Sequence, residues 1–518
     1  MIADGRFPAW EDLVAAAVLG TERRPFVGPP PGGPLAAVAE QATRTAGLAG
    51  MAAALWAWRQ AGWSPAHSAT GPDPADAAPA DPRPLLPPGA VRTLRVILEE
   101  PERRPVLPEW LRLAAGTGRR LPAEWLPDLL EACPPAARPD LEVAAGPRAS
   151  WLAVRHPQWS RSGVAPGAGR AAQAVLDGGL ERWGAGPASD PGRLQALAAV
   201  RVESPDLGRC LVERIFSDEP GATRAAVVAT LADRLSPADE PFLEARLDDP
   251  RRDVRAQAAA LLRRLPDSGL GRRMAARTVP LARVAGRGQP ELQVDLPLEP
   301  DPGARRDGIG STGGAGGDRE SQLVEMVAAT PLAAWGPALG GDRSPADLVR
   351  WAARSGRPGE LLMRGWSAAA EATADRVWAR SLLDGGSRPT AGLAGLVEPE
   401  VADRALTAWL ARAPLAVALA VLAELSTPWS APLSRAVLGA LSDAVGSGDT
   451  SGAGPVRDRL PMVALAVDAG QAPATAALAD PERLAAVARG PARVFWARAL
   501  TQLAATVHFR QAMYQEFL

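Results

Sequence analysis

The stretch LDDPRRDVRAQAAALLRRLPDSGLGRRMAAR, residues 247–277, decides the fold. Asp249-Pro250 makes a turn, and Val254, Ala258, Leu261, Leu262 and Leu265 then fall at the i, i+4, i+7, i+8, i+11 spacing of one helix face. Pro266-Asp267-Ser268-Gly269 ends that helix, so the stretch reads as a helical hairpin with a broad apolar stripe. A hairpin of this size has too little internal surface to bury its own stripe, and neighbours must cover it.

Working outward, the same signal returns. Thr223-Arg224-Ala225 recurs as Val254-Arg255-Ala256 with the arginines 31 residues apart, and Asp218-Glu219-Pro220 foreshadows Asp248-Asp249-Pro250 with the prolines 30 apart. Two helices per unit at a period of roughly 30 to 47 residues belong to α-solenoids of the HEAT type. In HEAT-like units an aspartate before the helix and an arginine inside it often support neighbouring turns; Asp249 and Arg255 are placed for that role, and a simple solvated arginine is the equal alternative.

The remainder agrees with an all-α class. Ala and Leu dominate, and runs of β-branched and aromatic residues are nearly absent. The expected architecture is an α-solenoid of HEAT-like hairpins in two stacked halves. An N-terminal helical region covers 1–160. It opens with a helix whose face carries Trp10, Leu13, Val14, Ala17 and Val18 and which Gly20 stops. An Ala-rich helix at 35–59 follows. A Pro/Ala/Asp-rich stretch at 64–89 reads as a mobile linker. HEAT-like repeats occupy 165–285, a Pro/Gly-rich linker 286–319, and a helical stack 320–518. Within the second linker, ELQVDLPLE at 291–299 is the best strand-like alternation in the chain.

Charge and composition exclude several chemistries. With 57 basic and 58 acidic residues the formal net charge is −1, so no global field draws the chain to nucleic acid or anionic lipid. Every basic residue is arginine. The absence of lysine removes P-loop, Schiff-base and kinase-type lysines in one step. Cys133 and Cys210 stand far apart with no CxxC, which encodes neither a disulfide framework nor a zinc knuckle. His67, His156 and His508 are the only histidines and none shares a metal-ligand spacing with another, so packed or exposed roles are expected of them. There is no GxSxG elbow and no SxxK. Residues 308–313 satisfy GxGxxG, but no strand feeds directly into them and no βαβ unit surrounds them. No cofactor is expected. The amino terminus shows no basic segment followed by an apolar core, and no apolar run is long enough to span a bilayer, so a cytoplasmic protein is expected.

Three motifs carry a resemblance. WEDLVAAAVLGTERRP at 10–25, GPRASWLAVRHPQW at 146–159 and LPDSGLGRRMAAR at 265–277 resemble W..LV..A.LGTERRP, G.RG.WLA..NP.W and LP.S.L..RM..R of an uncharacterised bacterial family with HEAT-like repeats. The positions matched include Trp10, Gly20, Thr21, Glu22, Arg23, Arg24, Trp151, Pro157, Trp159, Arg255, Pro266, Arg273 and Met274. The chain departs at Ala149, where the family has Gly, and at His156, where it has Asn. The resemblance covers essentially the whole length. It implies no reaction. Genes of that family tend to sit beside those of MoxR-type AAA ATPases, von Willebrand A-domain proteins and SWIM zinc-finger proteins, so it implies an assembly.

Two further features bear on binding. Arg252, Arg263, Arg264, Arg272 and Arg273 form the most positive local region, with Arg252 and Arg263 expected opposite the apolar stripe as a ridge for an acidic partner or phosphate. A solvated outer face is the plainer reading of the same residues. Sixteen tryptophans, among them Trp110, Trp125, Trp335, Trp366, Trp378, Trp409 and Trp496, recur at helix ends and are expected as wedges between helices. Together these features point to a non-catalytic scaffold or adaptor that binds protein partners, with a MoxR-type ATPase or a von Willebrand A-domain protein as the implied partner. The alternative is a nucleic-acid-binding repeat protein using the arginine ridge; no membrane association is expected.

Overall fold

A computed structural model describes residues 8–23, 41, 47–53, 56, 78–155, 168–178, 191–286, 290–298, 302–310, 319–341, 343–447, 453–487 and 491–517. The chain divides into two compact units, 1–77 and 78–518. In the smaller unit the opening helix, Pro8–Leu19, buries Leu13 and Ala16 but leaves Val14, Ala17, Val18 and Leu19 exposed. The buried face is thus narrower than the expected stripe. Gly20 stops this helix in the left-handed region at φ 84°, its N–H donating to the Ala16 carbonyl.

The larger unit is built almost wholly of helices. Its one sheet among the described residues pairs strands Ala282–Ala285 and Glu291–Val294 antiparallel, with Ala282 opposite Val294 and Ala285 opposite Glu291. The repeat stretch folds as read: Arg252–Arg263 is a helix and Gly269–Thr278 a second one. Val254, Ala258 and Leu262 are inaccessible to solvent, and Leu261 and Leu265 are buried. The stripe packs on Val227, Val228, Leu231 and Leu243 from the preceding unit.

The two copies share an arginine brace. Arg255 Nη1 donates to the carbonyls of Asp249 (2.7 Å) and Pro250 (2.9 Å). Arg224, at the equivalent position, donates from Nε to Glu219 (3.1 Å) and from Nη2 to Ser217 (3.2 Å). In both units a guanidinium folds back on the turn before its own helix and satisfies carbonyls outside the helical ladder. Asp249 contributes separately, its carboxylate accepting from Arg251 N at 2.9 Å. Support of the turn is therefore local, Arg255 reaching the Asp249 carbonyl and, among the described residues, making no ion pair with the Asp249 carboxylate.

Four tryptophans act as wedges between helices. Trp110, Trp335, Trp366 and Trp496 are fully buried. Trp366 meets Trp335 and Trp378 at ring-centroid distances of 5.6 and 5.2 Å, joining helices Trp335–Ala338, Gly356–Thr373 and Arg376–Asp384. Rings of this size supply the area that Ala-rich helices lack.

Chain order and spatial order differ in the larger unit. The first helices, from Pro88–Glu99 to Pro147–Arg155, enclose a core of Leu94, Ile97, Trp110, Leu111 and Leu129 that also contains Met513 of the last helix, Pro491–Gln515. The joint is sealed by Arg510, which is fully buried. Its Nε and Nη2 donate to Glu109 at 2.5 and 2.7 Å, and its Nη1 donates to the carbonyls of Ala464 and Val467 at 2.8 and 2.7 Å. Tyr514 OH adds a bond to the same carboxylate at 2.8 Å.

Both stretches read as linkers hold ordered structure where they are described. In 78–89, Leu86 is buried, its N–H bonds the Arg120 carbonyl, and Arg83 pairs with Asp81 at 2.7 Å. In 286–319, a short helix Pro302–Arg306 is followed by Asp307 and Ile309, which are 1% and 2% exposed. The physical reason is that a few apolar anchors, Leu86 in one and Ala304 and Ile309 in the other, are reinforced by arginine contacts that composition averages conceal.

Candidate functional site

The five arginines expected as a ridge do not form one. Arg273 donates to Asp307 from Nε (3.0 Å) and Nη2 (2.7 Å) and reaches Glu244 at 3.1 Å. Arg277 joins the same aspartate at 2.8 Å. Asp307 is nearly inaccessible; burial alone would raise its pKa, but Arg273 and Arg277 outweigh it and hold the carboxyl below its ordinary value. Arg306 extends the network to Asp248 at 2.7 Å. The motif arginines Arg273 and Arg277 thereby fasten the 302–310 segment to the repeat.

Arg263 does not project outward beside Arg252. Its Nε is buried with no hydrogen-bond partner among the described residues, its Nη2 lies by Gly308, and burial depresses its pKa against an opposing influence from Glu325. Arg263 lies three turns past Arg252 on nearly the same side of the helix, and the 302–310 segment packed over that end covers it. Arg264 and Arg272 are exposed, and each donates to a carbonyl, of Ala232 (3.3 Å) and Asp267 (2.5 Å) respectively. Arg252 alone of the five is exposed without a hydrogen bond or ion pair among the described residues. Its neighbour Arg251 pairs with Asp253 at 2.7 Å.

The other motif positions are structural where described. Ser268 caps its helix, accepting from Gly271 N and donating to the Leu262 carbonyl, both at 3.1 Å, while Met274 is fully buried. Pro266 is exposed in the turn between the two helices. Gly146 ends a helix at φ 66°, where an added Cβ would lie 2.3 Å from Arg83 Nη2. Ala149 is buried, so its place in the motif calls for a small residue. Trp151 is half-buried. Thr21, Glu22 and Arg23 form an exposed turn. Arg24, Pro157, Trp159, His67 and His156 lie outside the described residues, as does the side chain of Trp10. In the GxGxxG stretch, Gly308 and Gly310 have φ of 92° and 76°, Ile309 is buried, and Gly310 N–H is taken by Glu325 at 2.7 Å. That donor is committed to the protein's own carboxylate, and 311–318 lie outside the described residues.

A large concavity lies elsewhere, in the C-terminal half, and no sequence motif marks it. It is an open groove of about 880 Å³ whose walls come from helices Gly356–Thr373, Pro399–Arg412 and Leu415–Leu422 and from the 385–390 loop. Arg364, Arg388 and Arg412 line it together with Glu360, Glu371, Glu424 and Trp409. The loop is fixed: Ser387 N bonds the Leu382 carbonyl at 3.0 Å, and Thr390 caps the next helix through Leu393 N at 3.2 Å while its hydroxyl donates to Glu371. Arg412 donates to the Gly386 carbonyl at 2.7 Å and lies over the Trp409 ring at 5.3 Å. Charged groups spread over four elements leave no local spacing pattern, so only the fold gathers them.

Groups for metal or thiol chemistry are not gathered in this way. Among the described residues no cluster of three or more His, Cys, Asp or Glu side chains is suited to hold a metal ion. His508 is exposed on the last helix. Cys133 is buried and its thiol is pushed up to about 11, chiefly by desolvation. No single helix among the described residues is long and apolar enough to cross a membrane.

A family model described as "Family of unknown function (DUF5691)" matches residues 12–517. The chain belongs to DUF5691. The match has the near full-length extent that the three motifs imply. No curated protein and no solved structure matches this DUF5691 chain. Within the DUF5691 match lie both the arginine-fastened helical hairpin of 247–277 and the C-terminal groove.

Proposed function

We propose that this protein is a non-catalytic adaptor that binds protein partners through the surface of its stacked, HEAT-like helical hairpins. The carrying observation is the groove of about 880 Å³, a concave surface built from several helices and a braced loop, with charged side chains around a tryptophan. Such a surface suits recognition of a polypeptide, with arginine and tryptophan as anchoring residue types. The resemblance to a family encoded beside MoxR-type AAA ATPases and von Willebrand A-domain proteins supplies the partners. A cytoplasmic setting is part of the same reading.

The test is co-purification. The tagged protein is expressed in its host and its eluate is probed for the neighbouring MoxR-type ATPase and von Willebrand A-domain protein. The adaptor reading expects at least one of them at a fixed ratio to the bait. Recovery of the bait without either would defeat it.

A further inference from the structure

We infer that residues 302–310 form a releasable strap that gates the outer face of helix Arg252–Arg263, lifting off as one piece while the helices beneath stay folded. Burial along that helix shows what the strap covers. Arg252, Ala256 and Ala260 are exposed, yet Ala259, on the same side, is 2% exposed, and Arg263 is half-buried with its Nε inaccessible. The cover is the strap itself, since a Cβ added at Gly308 would lie 3.4 Å from Ala259 Cβ and 3.5 Å from Arg263 Nη2. The ridge of Arg252 and Arg263 expected from the sequence is therefore open to solvent along its length only with the strap lifted.

The strap is folded on itself. The N–H groups of Asp307 and Ile309 donate to the carbonyls of Gly303 and Ala304, both at 3.0 Å, and Gly308 N–H donates to that of Arg305 at 3.1 Å. Its buried apolar side chains are Ala304 and Ile309, whereas helix Arg252–Arg263 buries Val254, Ala258, Ala259, Leu261 and Leu262, so lifting the strap exposes far less apolar surface than unfolding the helix. The other ties are polar. Asp307 holds Arg273 and Arg277, Arg306 holds Asp248 and the Glu244 carbonyl at 2.7 and 3.2 Å, and Gly310 N–H holds Glu325 at 2.7 Å. Arg273, Arg277 and Arg306 keep 35%, 27% and 34% of their side chains exposed, so water already reaches the groups that would replace these bonds with hydration. Arg263 pulls the same way, because its guanidinium charge is desolvated under the strap and regains water when the strap lifts.

The experiment is thiol labelling of the folded full-length protein over a range of urea concentrations below the unfolding transition. Ala259→Cys places a thiol under the strap, and Ala258→Cys places one in the apolar stripe of the same helix, where solvent access is 0%. Mass spectrometry of the labelled peptides keeps both apart from Cys133 and Cys210. Position 259 is expected to react at least about ten-fold faster than position 258, with a rate nearly flat in urea, while the rate at 258 climbs steeply because it needs the larger opening. Adding Asp307→Asn should speed labelling at 259 further. Hydrogen exchange of the unaltered protein is a second measurement that no new thiol can disturb: the amides of Asp307, Gly308 and Ile309 should exchange ahead of those of 256–262 and with little dependence on urea.

Labelling of 259 and 258 at one rate with one urea dependence would overturn the inference, since the strap would then leave only as the helix unfolds. So would a rate at 259 that Asp307→Asn leaves unchanged, or exchange of the 307–309 amides as late as those of 256–262. None of these outcomes bears on partner binding at the C-terminal groove.

Discussion

Replacing Glu109 with Gln tests how the two ends of the larger unit are held together. Glu109 is 8% exposed and accepts three hydrogen bonds, from Arg510 Nε, Arg510 Nη2 and Tyr514 OH. The amide keeps one acceptor oxygen but turns an NH2 donor toward a guanidinium that can only donate. It also leaves the charge of Arg510 uncompensated at 0% exposure, and losing one partner of a buried pair costs about 3–5 kcal/mol.

The chain's single tyrosine reports on the same place. The Tyr514 phenol is pushed up to about 12, first by burial and then by the charge and hydrogen bond of Glu109, with Arg510 opposing. Because the folded value is raised, this contribution to stability is fully present below the ordinary phenol value near 10 and is lost as pH rises toward about 12. Tyrosinate absorbance during a pH titration should show a midpoint well above 10 in the wild type and a lower one in Glu109→Gln. Urea unfolding should show the variant destabilised. A wild-type phenol titrating at its ordinary value while the protein is folded, or an unchanged urea midpoint in the variant, would refute the reasoning.

Three further outcomes follow from particular residues. Leu261→Ala should cost about 2–5 kcal/mol in urea unfolding, since the side chain is 2% exposed in the repeat seam. Asp307→Asn should flatten the loss of stability on acidification. The Asp307 carboxyl is held below its ordinary value, so its contribution is present above the unfolded value near 4 and disappears as pH falls through the folded one; parallel acid titrations followed by circular dichroism check this. Cys210, which is partly exposed, should react with a thiol reagent in the folded protein, whereas Cys133, with its thiol raised to about 11, should react only as the protein unfolds; mass spectrometry of labelled peptides distinguishes them.

Much of the secondary structure was legible because the apolar period is strong where helices pack. Val254, Ala258, Leu261 and Leu262 lie on the expected face, and the offset between Arg224 and Arg255 marks two turns braced in the same way. Side-chain destinations were less legible. Arg252 and Arg263 have the same residue type on one helix, yet one is exposed and the other enters the seam beside Gly308. Nothing local distinguishes them, because the difference is made by the 302–310 segment, whose Gly and Pro content reads as a linker. The joint between Glu109 and Arg510 was equally hidden, since no short-range pattern pairs residues 401 positions apart. The groove residues were missed for the same reason: Arg364, Arg388 and Arg412 belong to three elements and look like any other solvated arginine.

The central claim is that recognition of a protein partner takes place at the C-terminal groove. Site-specific photo-crosslinking tests it most directly, with a photoreactive amino acid placed in turn at positions 388 and 252 and the protein mixed with the purified MoxR-type ATPase or von Willebrand A-domain protein. The account predicts a crosslink from position 388 and none from position 252. A crosslink from position 252 alone, or none from either, would contradict it.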